Sequence, residues 1–131
     1  MSQFQASIIN IQKHDALHIV TFQTEAFTLH MMSLELDEKI SVGTKVLLGV
    51  KASSVAISKG FSGELSYANQ LELEVHKIQE GELLCSLELK AKNFELESII
   101  TLGSKNRMKL QVADTITALI KSSDLYITEV L

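Results

Sequence analysis

A chain of 131 residues, 46% of them hydrophobic, can build one ordinary core or two very small ones, which makes it globular rather than disordered. Its 16 acidic and 12 basic residues leave a net charge of −4, without the stripe of Lys and Arg that tracks a nucleic-acid backbone, and only 5% of residues are aromatic and able to stack on bases, so nucleic acid is excluded as a partner. A single cysteine, Cys85, excludes a disulfide framework, and among Leu83, Leu84 and Leu87 it reads as a small buried hydrophobe.

In chain order, the first signal is an apolar stretch around Ile8, Ile9 and Ile11, followed by an apparent hairpin carrying His14 and His18. Four residues apart on strands, these histidines do not share a face as they would on a helix, so they make no metal site. Phe27, Leu29 and Met31 alternate with polar residues at the period of a half-buried strand, and the Met31-Met32 pair reads as core filling. A short helix is predicted over residues 33–38, opening on Ser33 as its cap. Val42-Gly43-Thr44 is a turn, and the apolar strand after it, ending at Val50, is flanked by Lys45 and Lys51. That run is far too short for a membrane span, and the N-terminus has no basic stretch leading into an apolar one; a cytoplasmic protein is expected.

Gly60, Ser62 and Gly63 make a flexible link, after which the same order of signals returns. Leu83, Cys85, Leu87 and Leu89 alternate, as do Phe94, Leu96 and Ile100, with Glu95 and Glu97 pointing the other way. A second short helix is predicted over residues 104–108, opening on Ser104, and Val112-Ala113-Asp114 is the matching turn. The correspondence is an internal repeat: residues 45–58 align with 115–128, seventy positions on, and residues 8–13 align with 75–80 at an offset of 67. Two modules follow, residues 1–60 and 64–131. Each has about five short strands and one helical turn, an all-β pattern that suits a small five-stranded closed barrel, since closure removes exposed edges. Units so small are expected to pair and oligomerise.

The segment Ser66-Tyr67-Ala68-Asn69-Gln70-Leu71, with Lys51-Ala52-Ser53 and Lys121-Ser122-Ser123 at the ends of aligned strands, resembles the molbindin (Mop or TOBE) family, whose module opens with S-A-R-N-Q-L and ends on a strand carrying I-K-A-S. The resemblance runs over nearly the whole chain, twice, and is nearest to the stand-alone double-module form. It implies OB-like barrels that bind molybdate or tungstate at contacts between modules or subunits, in a homo-oligomer that for a two-module chain is a trimer. Carried over residue by residue, it assigns the oxyanion to Lys121, Ser122, Ser66, Thr101 and Ser104 in the second repeat. In the first it assigns Lys51, Ala52 and Ser53, with Asn69 and Ser66 able to complete a pocket that Lys51 begins. Ala68 stands where the family has arginine. Met31 and Leu34 occupy the threonine and serine positions of the first repeat, and the counterpart of Ser66 would fall before Met1. The first repeat is thus expected to be the poorer binder.

The chemistry of these residue types agrees. Molybdate at neutral pH is a tetrahedral dianion with no proton to give, so a selective pocket offers donors only: an ammonium, hydroxyls and backbone N–H groups. No nucleophile elbow, phosphate-binding glycine loop or H-E-x-x-H occurs, and the aspartates show no acid–base pairing, so neither an enzyme nor an organic cofactor is expected. The resulting function is binding of a small oxyanion for intracellular molybdenum storage, buffering or homeostasis. The alternative is an interaction module that has kept the fold and acts, with or without ligand, beside a transporter ATPase or a transcription regulator.

Overall fold

The computed structural model describes residues 2–131 and contains ten strands and one α-helix: β1 (Ser2–His14), β2 (Leu17–Gln23), β3 (Thr28–Ser33), β4 (Lys45–Val50), β5 (Ala56–Ser58), β6 (Asn69–Glu80), β7 (Leu84–Ala91), β8 (Phe94–Thr101), α1 (Leu102–Met108), β9 (Thr115–Ile120) and β10 (Tyr126–Val130). The expected period of two is visible in the burial: in β6, Leu71, Leu73 and Val75 face inward while Gln70, Glu72 and Glu74 face solvent. Cys85, Leu87 and Leu89 do the same in β7, but Leu83 lies outside the strand and is 81% exposed, because it sits in the turn that the Gly81 N–H closes by donating to the Leu84 carbonyl.

Two five-stranded antiparallel sheets result, ordered β10-β4-β1-β2-β3 and β5-β9-β6-β7-β8. Each sheet takes its outermost strand from the other repeat. After β4 the chain makes a turn and crosses, so that β5 pairs with β9, and after β9 it makes the equivalent turn and β10 pairs with β4. The hydrogen-bonded ladders are open, so they do not by themselves close the expected barrels: β3 and β10 end one sheet and β5 and β8 the other. Side chains span the second gap instead, where the buried Ser98 hydroxyl on β8 donates to the Val55 carbonyl at 2.6 Å. One continuous core fills the space, with Phe22, Leu29 and Leu48 of the first repeat in the same cluster as Leu71, Leu87 and Ile120 of the second.

The repeat extends to irregularities. The long first strands bulge at aligned positions, between Ile8 and Asn10 in β1 and between Val75 and Lys77 in β6. Opposite each bulge sits the predicted turn: Gly43 N–H donates to the Ile8 carbonyl and Ala113 N–H to the Val75 carbonyl, both at 2.8 Å. Gly43 (φ 97°) and Ala113 (φ 79°) are both in the left-handed region, which costs alanine about 1–2 kcal/mol. Ala113→Gly is therefore expected to raise stability by about 0.5–1 kcal/mol, net of the extra unfolded-state entropy of glycine; thermal unfolding checks this, and an unchanged or lower midpoint contradicts it.

The two predicted helices fare differently. Residues 33–38 form none: the Ser33 hydroxyl bonds locally to Glu35, and Asp37 Oδ1 accepts the Lys39 N–H, so side chains satisfy the backbone in turns rather than in a helix. The second helix forms but starts at Leu102, two residues early. Its cap is Thr101, whose Oγ1 accepts the Ser104 N–H at 3.1 Å, which makes Ser104 part of the first turn.

Candidate oxyanion site

Both lysine segments fold alike. Lys51 (φ −72°, ψ 136°) and Lys121 (φ −65°, ψ 145°) leave their strands in extended conformation and precede single 3-10 turns, Ala52–Ser54 and Ser122–Asp124. Each lysine carbonyl accepts the turn-closing N–H, from Ser54 at 2.9 Å and from Asp124 at 3.0 Å. Lys51 and Lys121 are exposed and have no ion-pair partner among the described residues. Ala52 is buried and Ser53 exposed, while Ser122 is half-buried.

Strand exchange redistributes the candidates. Lys121 and Ser122 share a sequence repeat with Thr101 and Ser104, yet the Lys121 turn packs on β3, and it is the Lys51 turn that packs on β8, whose last residue is Thr101. Ser66 is exposed on the connecting segment, three residues ahead of β6. A groove beside the Lys121 turn is lined by Met31, Leu34, Ile40 and Ser123 together with Glu35 and Asp37. Glu35 and Asp37 make that groove unfavourable for a dianion.

Asn69 is the one candidate whose chemistry the fold has already committed. Its side chain is 1% exposed; Oδ1 accepts the His30 N–H at 2.8 Å, and Nδ2 donates to the carbonyls of His30 (2.9 Å) and Ile120 (3.2 Å). Both amide protons are thus used within the chain, leaving none for an anion. In this structure Asn69 brackets the two sheets.

Thr101 and Ser104 do come together. Thr101 Oγ1 donates to Ser104 Oγ at 2.9 Å, and Arg107 Nη2 donates to the same oxygen at 3.2 Å. Arg107, the only arginine of the chain, lies outside the residues that the family resemblance assigns, and its place three residues after Ser104 on a helix is the sequence signal that points to it. Lys105 is instead held by Glu80, at 2.6 Å. At the C-terminal end of α1, Lys59 donates to the Met108 and Lys109 carbonyls and pairs with Asp114 at 3.1 Å. The Gln111 N–H, and then Lys59, hold the Asp114 carboxyl below its ordinary value, so this contribution is present above the usual carboxylate range and fades as pH falls through the lowered value. Burial, and then the charge of Glu80, push the Cys85 thiol up, which suits a structural cysteine and not a thiolate. Among the described residues no three His, Cys, Asp or Glu side chains gather as metal ligands, and no helix is long and apolar enough to cross a membrane.

Two pseudo-equivalent β-sheets, each bearing a lysine turn with hydroxyl and N–H groups beside it, define a mostly β protein built on an internal repeat. Residues 65–127 match the family model of the TOBE domain. That match spans the second repeat, and its TOBE assignment is consistent with the molbindin family. Among solved structures, it is similar to the cytoplasmic molybdate-binding protein ModG, crystallised with molybdate bound, at 21% identity and a TM-score of 0.89 over 96% of this chain and 94% of that one. That likeness establishes the mostly β fold with its two five-stranded sheets. A molybdate-binding protein from Sporomusa ovata is 32% identical over 46% of this chain and 90% of its own, with a TM-score of 0.45. No curated protein sequence matches the chain.

Proposed function

We propose that this chain binds molybdate or tungstate. The observation that carries the proposal is the duplicated lysine turn: closely similar backbone angles, an ammonium without an ion-pair partner among the described residues and a following small residue at both Lys51 and Lys121. A dianion without protons is matched by such donors, and they are worth most where a second module or subunit closes over them and excludes water. Each exposed turn offers one wall of such a site. The proposed ligand set is Lys121, Ser122 and Ser66 at one end, and Lys51, Ala52 and Ser53 with Thr101 and Ser104 at the other. The repeats at 1–60 and 64–131 act as two OB-like modules that exchange their last strands, and the two-module chains assemble as a trimer with sites between modules and between subunits. The molybdate found on the similar ModG protein supports the choice of ligand, and its cytoplasmic description supports a cytoplasmic role in molybdenum storage, buffering or homeostasis.

Calorimetric titration with molybdate, tungstate and sulfate tests this. Lys121→Ala should remove a charge-assisted contact worth about 1.5–3 kcal/mol, weakening molybdate binding by about one to two orders of magnitude. Sulfate binding as tightly as molybdate would sink the proposal, and an unchanged constant in Lys121→Ala would remove that residue from the site. The second reading, a module acting with a transporter ATPase or transcription regulator, draws on Ala68, Met31 and Leu34 at three of the family's ligand positions. Capture of such a partner by a protein that binds no molybdate would favour it.

A further inference from the structure

We infer that Asn69 is the positioning residue that stiffens the Lys121 turn and makes it the stronger of the two oxyanion turns, an inference that rests on the binding reading above. The Asn69 amide pairs with the His30 peptide as a neighbouring strand would, accepting its N–H and donating to its carbonyl, and its second proton holds the Ile120 carbonyl. That carbonyl belongs to the peptide plane that carries the Lys121 N–H. Asn69 thus fixes the plane on which Lys121 leaves β9, and ties it to β3, on which the Lys121 turn packs.

The other repeat supplies an internal comparison. Asn69 pairs with Ile120 in the β6–β9 ladder, and Ser2 pairs with Val50, the residue before Lys51, in the β1–β4 ladder. The correspondence is complete on the accepting side: Asn69 Oδ1 takes the His30 N–H, and Ser2 Oγ takes the Glu97 N–H at 2.8 Å, with His30 and Glu97 again 67 positions apart. It fails on the donating side. A serine hydroxyl has a single proton and cannot donate to two carbonyls at once, as Asn69 does. The Lys51 turn therefore lacks the three-way bracket at its entry, and is held at its exit instead, where the Ser98 hydroxyl donates to the Val55 carbonyl and the Val55 N–H to the Ala52 carbonyl. A turn held in its binding shape before the ligand arrives has less freedom to lose on binding, so the two ends should differ in affinity even though their lysine geometry matches.

Two reciprocal substitutions test this in the full chain: Asn69→Ser, which installs the first repeat's residue, and Ser2→Asn, which installs the second's. Amide hydrogen exchange, read without ligand, should accelerate about tenfold at the Asp124 N–H, which the Lys121 carbonyl accepts, in Asn69→Ser with the Ser54 N–H unchanged. In Ser2→Asn it should slow at the Ser54 N–H. In parallel, calorimetry with molybdate should lose its tighter class of sites in Asn69→Ser and keep it in Ser2→Asn. If Asn69→Ser is too unstable to study, the Ser2→Asn exchange decides alone, and no gain of protection there overturns the inference. Unchanged exchange at the Asp124 N–H in a folded Asn69→Ser protein also overturns it, whatever the binding data. Wild-type protein that binds no molybdate overturns the binding reading, and the ranking of the turns with it, while the exchange result still decides whether Asn69 stiffens the turn.

Discussion

Phe94→Ala should lower the free energy of unfolding by about 3–5 kcal/mol, a large fraction of what a small domain possesses. Phe94 opens β8 in the second sheet, and its ring lies 4.9 Å from Phe4 of β1 and 5.0 Å edge-on from Phe27 beside β3. It is 5% exposed. Removing it deletes two aromatic contacts and leaves a void where the two repeats meet, and a backbone braced by sheets on both sides cannot collapse to fill it. Because the core is a single cluster, the protein should still unfold in one transition, shifted to lower denaturant. Urea unfolding followed by far-ultraviolet circular dichroism gives the shift, with the neighbouring outward-facing Glu95→Ala as a control expected to change stability by under about 0.5 kcal/mol. A loss for Phe94→Ala no greater than that of the control would mean that the repeats do not depend on each other.

Much of this architecture is legible in the sequence because period-two burial is a local property. Leu29, Met31, Cys85, Leu87, Leu89, Phe94 and Leu96 fall inward as their alternation requires, and the repeat offsets place the turns at Gly43 and Ala113. What the sequence hides is partnership. Nothing in residues 56–58 or 126–130 announces that these strands cross to the other sheet, since each is compatible with either neighbour in hydropathy. The site reading inherits that blind spot: grouping candidates by repeat put Lys121 with Thr101, whereas the crossing puts the Lys51 turn on the strand that ends at Thr101. Asn69 shows a second limit. A polar residue in a family-like motif can be a ligand or a buried bracket, and only the positions of His30 and Ile120 separate the two. The missing helix at residues 33–38 was lost to local chemistry, since Ser33 and Asp37 bond to the backbone two residues on.

The partner choice does have a physical code, in residue size, and it leads to the second large effect. In the ladders Gly49 lies opposite Tyr126, and its pseudo-equivalent Leu119 lies opposite Ala56. A Cβ on Gly49 would lie 2.8 Å from Thr128 Cγ2 and 3.0 Å from the Tyr126 ring, so the first sheet has room for the tyrosine strand only because position 49 is empty. Exchange pairs small with large twice. Without exchange, Gly49 would face Ala56 across a void, and Leu119 would face Tyr126 in a crowded strand pair. Gly49→Leu should therefore cost about 1–3 kcal/mol by overpacking, while Leu119→Ala should cost about 2–5 kcal/mol by leaving a cavity. Adding Tyr126→Ala to Gly49→Leu rebuilds the second sheet's Leu–Ala pair within the first, and should give a favourable coupling of about 0.5–3 kcal/mol relative to the sum of the single changes. Denaturant unfolding of the four proteins closes the cycle, and strict additivity would show that size does not select the partner. The code also bears on assembly. A final strand that fits only a glycine-bearing neighbour is kept from the wrong ladder of its own chain, but an identical ladder in another copy accepts it equally well. Gly49→Leu alone should therefore suppress any concentration-dependent strand exchange between chains as well as weaken the fold, and light scattering at high concentration separates those two effects.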